Sequence, residues 1–326
     1  MPRKRKVRRR RSPAMAKVRR RRFLVILLMV AVVAGVSGFF LHQNPEWREN
    51  ITETATNIWD SVSSFFIDLF AGGQIPADGY VYVHFIDVGQ GDAVLIRTAY
   101  GAVLIDGGDN HMGQRVIDYL HSHGVRELAY VIATHPHADH IGGLIPIISE
   151  FPIGTLIMPN VTHTTLTFER FIEALENSHI NVSPPVIGDT FAFGEAVFTI
   201  IAPNSSGYSN LNDYSVATHL TFGSTSFLFT GDAERTSEGE MVALHSLSAN
   251  VLHVGHHGSN TSTTEEFLSA VSPQIAVISV GANNTFGHPH SQVITRLVSH
   301  GVRVYRTDIH GNITITSNGT NVTVNY

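Results

Sequence analysis

From Tyr80 onward the apolar positions fall in short runs rich in Val, Ile, Phe and Leu, separated by Gly, Asn and Asp, which is the pattern of strands bounded by turns. Strands are predicted over 80–86, 93–98, 102–105, 128–133, 155–158, 196–201, 217–222, 226–230, 250–254, 275–280, 302–305 and 312–316. Between them the apolar residues recur at helical spacing over 112–123, 167–178, 236–246, 264–271 and 290–300. Strand pairs come first, and strands alternating with helices follow. That order predicts an α/β domain over 80–326, with two mixed sheets sandwiched by helices instead of a simple doubly wound sheet.

The pattern changes ahead of Tyr80. Phe23 to Leu41 is 19 residues without a charge, which as a helix spans about 30 Å, the thickness of a hydrocarbon core. Residues 42–79 form a spacer, with helical spacing of Ile51, Ile58, Val62, Phe65, Phe66 and Leu69 broken by Ala71-Gly72-Gly73-Gln74-Ile75-Pro76.

Composition sharpens this division. The 326 residues carry a formal charge of −5, but residues 1–22 hold 13 of the 22 Lys and Arg and no acid. The other 304 residues have nine basic side chains against 27 acidic ones. A basic block on the N-terminal side of an apolar span stays in the cytoplasm, so 1–22 is expected as a cytoplasmic tail and 23–41 as a transmembrane anchor. Everything beyond it is then extracytoplasmic; the alternative is a signal peptide cleaved near Val36-Ser37-Gly38. The absence of cysteine excludes a disulfide scaffold, a thiolate zinc site and a cysteine nucleophile.

The chemistry concentrates at Thr134-His135-Pro136-His137-Ala138-Asp139-His140, directly after the apolar run Val131-Ile132-Ala133. His135 and His137 fall on one side of an extended segment, where both rings can meet a single ion. Asp139 and His140 follow the turn and can meet a second, giving a two-metal site with ions about 3.5–4 Å apart.

With Gly142-Gly143 behind it, this motif resembles the signature of the metallo-β-lactamase fold, whose architecture is a four-layer αββα sandwich. Phe85-Ile86-Asp87-Val88-Gly89-Gln90-Gly91-Asp92, Leu104-Ile105-Asp106-Gly107-Gly108, Phe229-Thr230-Gly231-Asp232, Val254-Gly255-His256-His257-Gly258-Ser259 and Phe286-Gly287-His288-Pro289 resemble the soluble catalytic domain of ComEC-type competence proteins. The resemblance implies that His135 and His137 bind the first metal, and Asp139 and His140 the second, with Asp139 also accepting a proton. It implies that Asp232 bridges both metals, and that one of His256 and His257 completes the second site. Asp106 would support the histidine loop from behind.

Lactamases place a third histidine on the first metal, between the histidine motif and the bridging Asp. Here that interval holds only His163, His179 and His219, none after a glycine, whereas Asn212-Asp213-Tyr214-Ser215 matches the ComEC-type branch. Asp213 or Asn212 is therefore expected near the metals, shifting the first site toward oxygen ligands and toward Mn²⁺. Asp87, Gln90 and Asp92 are expected either as turn residues or as a wall of the active site. His288 would contact a phosphate or protonate a leaving oxygen.

The expected function is that of a membrane-anchored, extracytoplasmic hydrolase using two divalent ions, Zn²⁺ or Mn²⁺, on phosphodiesters in a nuclease-like way. The alternative is hydrolysis of an ester, lactone or amide, and a non-catalytic binding subunit is the weakest reading. Nucleic-acid affinity rests on phosphate neutralisation by Lys and Arg. Residues 80–326 offer eight arginines and no lysine, so DNA is a candidate substrate without an evident basic surface to hold it.

Overall fold

The structure, a computed structural model, describes residue 76 and residues 78–326. The basic tail, the anchor expected over 23–41 and nearly all of the spacer lie outside the described residues. Among the described residues no helix is long and apolar enough to cross a membrane.

Fifteen strands among these residues form two mixed sheets. The first holds eight: β1 (Val81–Phe85), β2 (Val94–Thr98), β3 (Gly101–Ile105), β4 (Leu128–Ile132), β5 (Ile153–Ile157), β6 (Asn181–Ser183), β14 (Ile313–Ser317) and β15 (Val322–Asn325), in the order β15-β14-β1-β2-β3-β4-β5-β6. The second holds β7 (Thr190–Phe193), β8 (Ala196–Ala202), β9 (Ala217–Phe222), β10 (Thr225–Phe229), β11 (Val251–His253), β12 (Ile275–Ile278) and β13 (Arg303–Arg306), in reverse numerical order from β13 to β7. In each sheet hairpins pair antiparallel, while β3-β4-β5-β6 and β10-β11-β12-β13 run parallel.

Alternation along the strands decides which residues fill which layer. Val81, Val83, Phe85, Val94 and Ile96 point between the sheets and meet Phe198, Leu220, Phe227 and Phe229 from the other side. Leu95, Leu104 and Val131 point outward, under α1 (Gly113–Ser122), α3 (Leu144–Glu150) and α4 (Leu166–Glu176). On the second sheet Leu228, Leu252 and Ala276 lie under α5 (Arg235–Leu244), α6 (Glu265–Val271) and α7 (Ser291–Ser299). Both faces of each sheet are therefore dry, which is why the central strands read as near-continuous apolar runs. The result is four layers, αββα, as the sequence predicts.

Three strands escape the sequence pattern, namely β6, β7 and β15. All lie at sheet edges and are largely exposed, so they carry no buried apolar run. Helix α3 was also hidden, because its Leu-Ile-Pro-Ile-Ile sequence has no helical periodicity and Pro146 sits in its first turn.

Candidate metal centre

Loops leaving the C-terminal ends of β1, β3, β4, β10, β11 and β12 converge at one end of the sandwich and carry the polar side chains of the site. Strand β4 delivers His135; an extended residue, His137, then leads into the single turn α2 (Ala138–Ile141), which carries Asp139 and His140. The two glycines that follow are required by contact. A Cβ on Gly143 would stand 1.8 Å from the carbonyl oxygen of Gly107, so the histidine loop can lie this close to the β3 loop only without a side chain.

The β3 loop supplies Asp106, fully buried and in the left-handed region at φ 57°. Its Oδ1 accepts the Thr134 amide at 2.8 Å, and its Oδ2 accepts the Thr134 hydroxyl at 2.7 Å and His140 Nδ1–H at 2.8 Å. A carboxylate can only accept, so the proton of His140 sits on Nδ1 and the Nε2 lone pair faces the site. The Thr134 hydroxyl, its own proton spent on Asp106, accepts from His135 Nδ1 at 3.1 Å and turns that ring's Nε2 inward too. One buried acid thus orients two histidines.

Asp232, 2% exposed, lies between two triads. Its Oδ1 is 3.3 Å from His140 Nε2 and 3.6 Å from His257 Nε2, and its Oδ2 is 3.6 Å from His135 Nε2 and 3.7 Å from His256 Nε2. His135, His137 and Asp232 each offer an atom within 4.8 Å of the others, and so do Asp139, His140 and His257. His257 Nε2 stands 3.2 Å from Asp139 Oδ2. His257 Nδ1 donates to the Ser279 carbonyl at 3.0 Å and lies 3.3 Å from Asp92 Oδ1, which again leaves Nε2 for the site.

These donors fit divalent cations. Asp232 Oδ1, His140 Nε2 and His257 Nε2 are all buried with no hydrogen-bond partner, an arrangement that is costly unless something positive completes it. The charges agree. Burial works against ionising Asp232, but His140, His257 and His135 outweigh it and hold the carboxyl well below its usual range. Burial likewise opposes charge on His257, and Asp232 and Asp92 outweigh it, raising that imidazole well above its ordinary value. The pocket is built for positive charge beside Asp232.

Other expected residues are placed differently. Asp213 is not among the metal-binding groups; its Oδ1 accepts the amides of Glu234 and Ser237, both at 3.1 Å, at the N-terminus of α5. Its backbone position, in a short 3₁₀ turn (Leu211–Tyr214), turns the carboxylate toward that helix, and the expected oxygen ligand is not there. Asn212 donates to Glu234 Oε1 at 2.8 Å. The buried Ser215 hydroxyl accepts the Asp232 amide at 3.1 Å and lies 3.4 Å from His135 Nδ1. His163 packs edge-on to His137 with ring centroids 5.5 Å apart, and His219 lies in β9 opposite Leu228 of β10, in neither triad.

Asp87 accepts the Gly89 amide at 3.0 Å and pairs with Arg115 at 3.2 Å, beside a cavity of about 410 Å³ also lined by Gln90 and Asn284, and it belongs to neither triad. Asp92 is no wall: it is 2% exposed and lies behind His257. His288 is half-buried, its ring 5.4 Å from that of His256 and 6.2 Å from that of His257. Burial, then the charges of His257 and His256, push it down to about 4. Glu234, which no sequence motif marked, lies 3.2 Å from His256 Nδ1; burial raises its carboxyl, but hydrogen bonds from His256 and Asn212 prevail and bring it to about 2.

Comparison with known proteins accords with this geometry. A family model described as the metallo-beta-lactamase superfamily matches residues 86–282. The chain is 31% identical over 250 residues to ComE operon protein 3 of Bacillus subtilis, covering 71% of this chain and 32% of that one. It is 31% identical over 228 residues to competence protein ComA of Neisseria gonorrhoeae, covering 69% and 30% respectively. With Recombination protein 2 of Haemophilus influenzae the identity is 32% over 235 residues, covering 71% and 28%. The chain thus spans less than a third of the length of these relatives. The family match contains every residue of both triads, and with the layered fold around them it gives one assignment: the chain belongs to the metallo-beta-lactamase superfamily of hydrolases.

Proposed function

We propose that this chain is a membrane-anchored hydrolase that holds two divalent cations and cleaves phosphodiesters outside the cytoplasm. The observation that carries this is Asp232, one carboxylate oxygen turned to each triad. His135, His137 and Asp232 would hold one ion, and Asp139, His140, His257 and Asp232 the other. When bound, such a pair would supply positive charge for the phosphoryl oxygens and lower the pKa of a bound water.

The chain's own residues do the rest. Asp106 and Asp92 hold His140 and His257 in the tautomer that faces the site. Asp139, 29% exposed at the mouth, accepts the proton of the attacking water. His288, its ring 5.4 Å from that of His256, stands at the edge of the site as a neutral imidazole and hydrogen-bonds a phosphoryl or leaving oxygen.

Two features support the compartment and the substrate class. Phe23 to Leu41, preceded by 13 basic residues, is the anchor and sets the orientation. Two of the relatives are named for competence and recombination, which favours nucleic acid. The surface argues for a short or delivered substrate, because Arg115 and Arg306 are paired with Asp87 and Asp308, Arg296 contacts Glu265 and Arg97 is buried, which leaves Arg126, Arg170, Arg235 and Arg303 as the exposed arginines outside those pairs. A hydrolase of a small ester, lactone or amide is the second reading, and it rests on that same scarcity of free positive charge.

The test is metal content and turnover of the detergent-purified full chain, with Zn²⁺ and with Mn²⁺, on bis-p-nitrophenyl phosphate, single-stranded DNA and nitrocefin. Phosphodiesterase activity should exceed lactamase activity at least about tenfold, roughly 1.4 kcal/mol in barrier. The double variant His135→Ala/His137→Ala should lose both metal and turnover. Faster nitrocefin hydrolysis would favour the second reading, and a double variant that keeps both ions would overturn the site.

A further inference from the structure

The His256-His257 pair is used twice, once on each side of Asp232. We propose that His256 is the third nitrogen ligand of the site formed by His135, His137 and Asp232, standing in for the histidine that the 141–231 interval does not supply, with Glu234 as its positioning residue. The proposal deepens the two-ion reading above and rests on it.

The geometry begins with the backbone. His256 and His257 are consecutive residues in the left-handed region, at φ 49° and 52°. Non-glycine residues are strained there and persist where surrounding structure demands them. The double turn splays the rings, with centroids 6.0 Å apart and planes at 69°. His257 goes to Asp139 and the Oδ1 side of Asp232. His256 goes to the Oδ2 side: its Nε2 is 3.7 Å from the same oxygen that His135 Nε2 approaches at 3.6 Å.

The far side of the ring carries the pattern of a ligand histidine. Its Nδ1 meets Glu234 Oε1 at 3.2 Å and the Thr261 hydroxyl at 3.2 Å, both able to accept a proton. Asn212 clamps the same Glu234 oxygen at 2.8 Å. A carboxylate behind Nδ1 fixes the proton there and directs the Nε2 lone pair inward, as Asp106 does for His140. The groups that might otherwise fill this position are occupied: Ser215 supports the Asp232 amide and Asp213 caps α5. His256 lies outside the 4.8 Å grouping that joins His135, His137 and Asp232, but its Nε2 is 3.7 Å from Asp232 Oδ2 and its side chain is 22% exposed at the edge of that site.

Three imidazoles and one carboxylate also change the metal preference. The oxygen-rich first site expected from Asn212-Asp213 becomes nitrogen-rich, and imidazole donors favour Zn²⁺ or Co²⁺ over Mn²⁺.

The test reads metal directly on the detergent-purified full chain. His256→Asn is the variant of choice, because Asn tolerates the left-handed backbone that His256 occupies. Wild type should take up two equivalents of Co²⁺ by titration. His256→Asn should keep the equivalent at Asp139, His140 and His257, bind the other at least about tenfold more weakly, and show an altered visible cobalt spectrum for it. Glu234→Gln should bind two equivalents with a smaller loss of affinity at that same ion. Unchanged affinity and spectrum in His256→Asn would overturn the proposal. A different pattern would sink the two-ion reading itself: wild type binding fewer than two equivalents, or the His135→Ala/His137→Ala chain retaining both.

Discussion

Replacing Asp106 by Asn keeps the shape of the side chain and turns one acceptor into a donor. Oδ1 can still accept the Thr134 amide, but an NH₂ group then faces the Thr134 hydroxyl and His140 Nδ1, at positions now 2.7 and 2.8 Å from Oδ2. His140 must accept from it, so its proton moves to Nε2 and the lone pair aimed at Asp232 disappears. Losing the orienting partner of a ligand histidine costs 10–100-fold in metal affinity, and tautomer reversal belongs at the upper end, about 2.7 kcal/mol. The ion-free fold should suffer less, because burial already disfavours the charge on Asp106 and pushes its carboxyl up. Two measurements follow: calorimetric titration with Zn²⁺, and the rise in unfolding free energy on adding Zn²⁺ to chelator-treated protein. At saturating metal the variant should forfeit about 2.7 kcal/mol of that metal-dependent stabilisation. Two ions bound with wild-type affinity would refute the tautomer argument.

Three further outcomes are expected. Glu238 in α5 is buried and accepts the amides of Thr263 and Thr264, and burial, opposed by those bonds and by Arg296, raises it to about 7. Its folded-state pKa lies above the unfolded value of 4.5, so the folded chain binds more protons between these limits. This contribution, about 3 kcal/mol, is complete below pH 4.5 and is lost as pH rises to 7. Urea unfolding of the wild type and of Glu238→Gln at pH 5 and 8 tests it, and parallel pH dependences would count against it. His288→Ala should lower phosphodiesterase turnover with metal content unchanged, and metal loss would make His288 structural instead. Phe229→Ala opens a cavity between the sheets, where Phe229 packs against Phe85 at 6.4 Å, and should cost about 3–5 kcal/mol by chemical denaturation; a loss under 1 kcal/mol would mean the layer collapses around the gap.

The sequence by itself determined the layers and the chemistry of one loop. Val81, Val83 and Phe85 alternate with outward residues, and β4 ends in a histidine motif whose local spacing commits His135 and His137 to one side and Asp139 and His140 to the next turn. Such features are short-range, and residue spacing along a strand or turn decides them. The tertiary structure alone decided what depends on loops from both sheets meeting. It set Asp232 astride the two triads, sent Asp213 to the N-terminus of α5, and buried Asp92 behind His257. It also separated His256 from His257, because two consecutive left-handed residues turn neighbouring rings to opposite sides, a conformation that no side-chain pattern announces. The edge strands β6, β7 and β15 were decided late for the same reason: their pairing partners, not their own buried faces, make them strands.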